Sequence, residues 1–129
     1  MNLVRIRSDA YKIFAISKDS GCQVRDFMDK LRKDDKDEAD KFEAFLDFVA
    51  ENGPPRNEQK CRSLSDYGGF ELKTKRVRLL CFWDKERVII GTMAFLKDGQ
   101  KTFRPYLKQL KKDREDYFRE KAESNKKEE

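Results

Sequence analysis

Basic side chains are concentrated in the stretch from Glu71 to Thr102, ELKTKRVRLLCFWDKERVIIGTMAFLKDGQKT. The basic residues of this stretch that could contact an anionic ligand are Lys73, Lys75, Arg76, Arg78, Lys97 and Lys101. Lysine binds phosphate as a point charge, and arginine adds a planar fork of N–H donors that matches two oxygens. The same stretch is predicted to form three strands joined by two tight turns, running into a helix. We therefore expect these side chains to crowd one concave face of a sheet and to contact RNA.

The positive charge is a property of the middle of the chain. The formal net charge is +5. Residues 1–55 hold ten Lys or Arg against twelve Asp or Glu, residues 56–112 hold fifteen against six, and residues 113–129 hold five against seven. Clustered cations favour a polyanionic partner, and nucleic acid is the commonest. A basic face that contacts only solvent is the other interpretation of these counts.

Missing residue types exclude several classes of site. The chain has no histidine, which removes His-based triads, His metal ligands and a His general base. Its three cysteines, Cys22, Cys61 and Cys81, have no CxxC spacing, so neither a disulfide scaffold nor a Cys zinc site is expected. We expect no metal and no cofactor. No apolar stretch approaches the roughly 20 residues of a membrane span, and the N-terminus lacks a signal-peptide core, so a reducing, cytoplasmic setting without a membrane partner is predicted.

Hydrophobic periodicity predicts the order of the elements. A first strand is expected over residues 11–17, with residues 3–7 either extending it or forming a separate edge strand. Two short helices follow, and Gly53-Pro54-Pro55 stops the second one. Residues 61–64 form a short strand or an ordered approach to the meander. The remaining predicted elements are strands at 70–75, 77–83 and 87–96 and a helix at 103–121.

These elements predict one α+β domain that covers residues 1–129. A small antiparallel β-sheet is expected, made of one strand, a helical hairpin and a three-strand meander, with helices packed on one face and a C-terminal helix. The opposite face of the sheet is then free to bind a ligand. Residues 119–129 have no apolar face and are predicted to be a charged, frayed tail.

Four segments of the chain resemble those of a known toxin family. They are VRDFMDKL (Val24–Leu31), YGGFELK (Tyr67–Lys73), VRLLCFWD (Val77–Asp84) and MAFLKDGQKTFRP (Met93–Pro105). In this order and spacing they resemble the HigB-like, often phage-derived branch of the RelE/ParE superfamily of bacterial toxins, over about residues 10–118. The chain departs from that pattern at three positions. Lys73 replaces an arginine, Met93 replaces a histidine and Asp98 replaces a lysine.

The resemblance implies a RelE-like fold and a ribosome-dependent mRNA endoribonuclease. Such enzymes use the 2′-hydroxyl of the RNA as the nucleophile on the adjacent phosphate. The reaction needs a base, cations around the phosphorane oxygens, and an acid for the leaving 5′-oxygen. Arg78, at the matching strand position, would hold the phosphate, and Lys73 and Lys97 would add charge. The remaining candidate RNA contacts are Lys75, Arg76, Lys101, Arg104 and Tyr106.

The sequence leaves the proton-transfer groups open. Glu71 alternates with Phe70 and Leu72, so it could be a general base or a salt-bridge partner of the nearby cations. A lysine that acts as an acid or base near neutral pH needs its pKa lowered by about three units. Tyr106 could be a phenolic donor, a ring on which a base stacks, or a helix residue that packs on the sheet.

The resemblance also implies partners. A cognate antitoxin, often a helix-turn-helix protein, would cover the basic face, and mRNA on the ribosome would be the substrate. A binding protein without catalytic activity is the alternative, either a ParE-like topoisomerase inhibitor or a degenerate phage protein that keeps the fold. The absent histidine and the substitution at Lys73 keep this alternative open.

Overall fold

The computed structural model describes residues 1–97 and 104–128, with one β-sheet and three α-helices in those ranges. The strands are β1 (Asn2–Ser8), β2 (Lys12–Ser17), β3 (Cys61–Leu64), β4 (Gly69–Lys73), β5 (Val77–Lys85) and β6 (Val88–Leu96). The helices are α1 (Gln23–Asp34), α2 (Lys36–Asn52) and α3 (Arg104–Glu128), and a 3-10 turn spans Ser65–Tyr67. Within these ranges, no helix is both long and apolar enough to cross a membrane.

The six strands form a single sheet in the order β1-β2-β6-β5-β4-β3. Neighbouring strands are antiparallel except for β2 and β6, which are parallel. Strands β4, β5 and β6 are the predicted meander, and β1 is a separate edge strand. The predicted α+β class is therefore confirmed, with a sheet that is mixed and has six strands.

The helical hairpin packs on one face of this sheet. Helix α1 buries Val24 and Leu31 from its apolar stripe. Helix α2 begins at Asp35, whose side chain accepts a hydrogen bond of 3.2 Å from the backbone N–H of Glu38. It ends at Gly53, where a φ of +84° favours glycine. The stop at Gly53 was predicted, and the two caps fix the length of the helix that borders the site.

The prediction of a free opposite sheet face is wrong, because α3 covers it. The buried residues of this second core are Ile16, Leu64, Leu80, Phe82, Ile90, Leu110 and Tyr117. Neighbouring residues of a strand point to opposite faces, and residues 77–82 are apolar at every position except Arg78. Such a run needs cover on both faces. The surfaces left for a ligand are therefore the ends and edges of the sheet.

Helix α3 extends to Glu128, beyond the predicted end at Lys121. Its carboxyl-terminal half is tied to the sheet through Asp84, which accepts hydrogen bonds from the Tyr117 hydroxyl at 2.9 Å and from Lys121 Nζ at 2.6 Å. Residues 98–103, which precede this helix, lie outside the described part of the chain.

Candidate functional site

A cleft opens at the end of the sheet where β4 turns into β5. Its volume is about 520 Å³. The lining residues, which we call the cationic cleft, are Lys41, Phe45, Gln59, Lys60, Lys73, Thr74, Lys75, Arg78 and Lys97. Six of these side chains carry a positive charge, and no carboxylate belongs to the described lining. Such a concentration of one sign of charge attracts anions.

The β4–β5 turn brings the central cations together. The backbone N–H of Thr74 donates to the carbonyl of Val77 at 3.0 Å, and the N–H of Val77 donates to Thr74 Oγ1 at 3.1 Å. This closed turn places Lys73 directly opposite Arg78 in the antiparallel register. Like charges that face each other across a strand pair are destabilising. The hairpin therefore holds two cations next to each other at the end of the sheet, with the Glu71 carboxylate 3.7 Å from Arg78 Nε.

Arg78 is held rigidly at the base of the cleft and is only 8% exposed. Its Nη1 donates to the carbonyls of Thr74 at 2.5 Å and Val77 at 3.0 Å. Burial lowers the pKa of the guanidinium, and the nearby carboxylate of Glu71 acts in the opposite direction. Among the described residues no partner is seen for Nη2, so this nitrogen is available to a phosphate oxygen.

Glu71 lies beneath the cleft and is not one of its lining residues. It is 2% exposed, and its Oε1 is 3.7 Å from Arg78 Nε. It also lies opposite Leu80, a member of the core under α3. Of the two roles that the sequence left open, this position favours the salt-bridge partner, because a general base must reach the proton that it removes.

Lys97 and Lys75 lie at the mouth of the cleft, and both are exposed. The backbone N–H of Lys97 donates to the carbonyl of Arg76 at 2.6 Å, which ties the end of β6 to the β4–β5 turn. The Arg76 side chain points elsewhere, since its Nη1 pairs with Asp35 Oδ2 at 2.9 Å. Arg76 is therefore not brought to the cleft with its neighbours.

The other predicted RNA contacts are farther along the chain. Arg104 is exposed at the start of α3 and does not line the cleft. The Tyr106 ring packs on Phe95 with ring centroids 4.8 Å apart, at the border of the core under α3. This contact agrees with the packing role that was one of its three interpretations. Lys101 lies outside the described residues.

Sequence reasoning missed the wall of the cleft that lies across from β4 and β5. Helix α2 supplies Lys41 and Phe45, and the segment before β3 supplies Gln59 and Lys60. A backbone hydrogen bond of 2.8 Å from Lys73 N to Lys60 O holds that segment against β4. The sequence signal was weak, because Lys41 lies in the half of the chain where acids outnumber bases. Lys41 also pairs with Glu38 at 3.7 Å.

The chemistry open to this site is the binding of anions and the stabilisation of negative charge. Within the described part of the chain, no group of three or more His, Cys, Asp or Glu side chains is arranged to hold a metal ion. An arginine whose Nη2 has no partner in residues 1–97 and 104–128, surrounded by lysines, suits a phosphodiester whose charge grows during a reaction.

Comparison with known proteins identifies the family. The family model described as "Phage derived protein Gp49-like (DUF891)" matches residues 29–115, well over half of the chain and all the residues that line the cationic cleft. The chain belongs to this family, which is a toxin-like family of the RelE superfamily. No curated protein matches the chain.

Proposed function

We propose that this member of the Gp49-like family is the toxin of a type II toxin–antitoxin pair and belongs to the HigB-like branch. Its activity is the cleavage of mRNA on the ribosome, in the cytoplasm. The observation that carries the proposal is the cationic cleft, where six positive side chains converge and the described lining holds no carboxylate. A site of this charge suits the backbone of a single RNA strand.

In the proposed reaction the RNA supplies its own nucleophile. The 2′-oxygen forms a bond to the adjacent phosphorus, and the bond from that phosphorus to the 5′-oxygen of the next nucleotide breaks. The proton leaves the 2′-hydroxyl, and a proton is delivered to the 5′-oxygen. The products are a 2′,3′-cyclic phosphate and a 5′-hydroxyl end.

Arg78 has the central role in this proposal. Its free Nη2 would donate to a phosphorane oxygen, while Nη1 is fixed by two backbone carbonyls and so limits the motion of the guanidinium. Lys73, opposite it in the register, and Lys97 at the mouth would add positive charge. Stabilisation of developing charge by groups already in place is usually the largest single contribution to catalysis.

A cognate antitoxin is the proposed regulatory partner. A member of a toxin-like family is expected to have an antitoxin partner. The cationic cleft is a positively charged surface to which such a partner could bind. An antitoxin segment that places carboxylates over the cleft would block RNA and neutralise the lysines in the same contact. A helix-turn-helix protein encoded beside this chain would be the first candidate.

The activity is tested by translation in a purified system, with mapping of mRNA 5′ ends after the protein is added. The proposal predicts new 5′-hydroxyl ends that appear only when ribosomes are present. Cuts without ribosomes would contradict ribosome dependence. Intact mRNA together with stalled DNA replication in cells would refute the nuclease proposal and point to a topoisomerase inhibitor.

A further inference from the structure

Among the described residues that line the cationic cleft, one has an aromatic ring, and binding of the RNA backbone does not account for it. Phe45 is half-buried on α2, where it packs at the border of the core between the helical hairpin and the sheet. It also lines the cleft among the lysines. A ring in this position has one side against the protein and part of its surface toward the ligand space.

Lys60 marks the open side of this ring. Its Nζ lies 6.0 Å from the ring centroid of Phe45, at the outer limit of a cation–π contact. The Lys60 side chain is exposed, so the contact is weak and the side chain can move away. Its backbone cannot move as easily, since its carbonyl accepts from Lys73 N at 2.8 Å and its N–H donates to the carbonyl of Asn57 at 2.8 Å. The backbone at this side of the cleft is therefore held by hydrogen bonds, and a ligand can displace the Lys60 side chain from the ring of Phe45.

The volume of the cleft is comparable to that of sites that bind one small ligand. A volume of about 520 Å³ lies within the range of sites that enclose one small ligand, about 300–1,000 Å³. Such a space is large enough for one unpaired nucleotide. Proteins that bind single strands combine a positive groove with aromatic rings on which bases stack.

We propose that Phe45 is the ring on which one unpaired base of a single-stranded RNA stacks when its backbone lies along the lysines and Arg78. This inference rests on the proposed function, because it assigns the base that accompanies the phosphate held at Arg78. Lys60 then contacts the same nucleotide from the outer side. The interaction is tolerant of sequence, since every base has a face that can stack.

Binding of two matched strands tests the inference. One is a short 2′-O-methyl RNA, which lacks the free hydroxyl needed for cleavage, and the other has the same backbone with abasic sites throughout. Their affinities are measured by fluorescence anisotropy at low salt. Stacking is worth about 1–3 kcal/mol per base, so the wild type should prefer the strand with bases by about 5- to 150-fold.

The variants separate stacking from packing. Phe45→Leu should lose this preference while its affinity for the abasic strand is unchanged, and Phe45→Tyr should keep the preference. Phe48→Leu is the matched control, because Phe48 lies on the same helix, is 47% exposed and does not line the cleft. Thermal unfolding of each variant establishes that it is folded.

Two results would overturn the inference. One is a preference for the strand with bases that survives in Phe45→Leu, and the other is a wild type without that preference. Cleavage assays on the same proteins distinguish this failure from that of the proposed function. A preference that depends on Phe45 in a protein that does not cut mRNA supports the stacking site and refutes the nuclease activity. Cleavage without any dependence on Phe45 refutes the stacking site alone.

Discussion

The buried ion pair between Arg78 and Glu71 should contribute to the stability of the fold, and Arg78 also belongs to the cationic cleft. Arg78 is 8% exposed and Glu71 is 2% exposed. Arg78→Gln would remove the cation that faces the buried Glu71 carboxylate at 3.7 Å. Removal of one partner from a buried pair costs about 3–5 kcal/mol. Because Nε and Oε1 are 3.7 Å apart, beyond hydrogen-bond length, we expect a loss near the lower end, about 3 kcal/mol.

The double variant Glu71→Gln/Arg78→Gln removes both charges together. Since the carboxylate that faced Arg78 is removed together with the arginine, it should recover most of the stability that Arg78→Gln loses. Urea unfolding followed by the fluorescence of Trp83, the single tryptophan of the chain, gives the free energy of unfolding of each protein. Arg87→Gln is the control, because Arg87 is an exposed arginine at the opposite end of the β5–β6 hairpin.

Two outcomes would refute this reasoning. One is an Arg78→Gln variant whose free energy of unfolding is within about 0.5 kcal/mol of the wild type, as for an ordinary surface substitution. The other is a double variant that is no more stable than the single one. If the double variant is stable, it also provides a folded protein that lacks the arginine of the cleft.

Two further predictions concern binding and pH. Affinity for single-stranded RNA should fall as salt rises, and Lys75→Gln or Lys97→Gln should each reduce the slope of log K against log salt by about 0.7. The control Lys12→Gln, far from the cleft on β2, should leave that slope unchanged, and equal slopes in all four proteins would contradict a phosphate-binding cleft. Burial and the hydrogen bond to Asp84 raise the pKa of Tyr117 to about 12. A tyrosine in the unfolded chain has a pKa of about 10, so the unfolded chain loses this proton first as the pH rises. The free energy of unfolding should therefore fall as the pH rises from about 10 to about 12, by no more than about 1.4 kcal/mol per pH unit. Tyr117→Phe should lack this part of the pH dependence in urea unfolding, and an identical profile would contradict the assignment.

The sequence was most informative where contacts are local. The short link between two apolar strands predicted the β4–β5 hairpin, and that hairpin alone brings Lys73 and Arg78 face to face. The alternation of neighbouring residues in a strand also accounts for the contrast between Phe82 and Trp83. Phe82 is fully buried and Trp83 is 40% exposed.

Contacts between distant segments could not be read from the sequence in this way. Helix α3 was expected on the same side as the hairpin, and its actual position turned Glu71 from an exposed candidate base into a buried partner of Arg78. Lys41 and Lys60 belong to segments whose distance from the β4–β5 turn depends on how α2 packs. No periodicity in either segment encodes that distance.

The most direct test of the central claim compares mRNA cleavage by the wild type with that of Arg78→Lys in the purified translation system. Lysine keeps a positive charge beside Glu71 but lacks the planar fork in which Nη1 holds the backbone carbonyls while Nη2 faces the phosphate. We predict that the rate of appearance of 5′-hydroxyl ends falls by about 100-fold or more, as expected for the loss of one fixed donor to the transition state, while Arg87→Gln cuts at the wild-type rate. An Arg78→Lys protein that cuts as fast as the wild type would contradict the role of Arg78 at the phosphate.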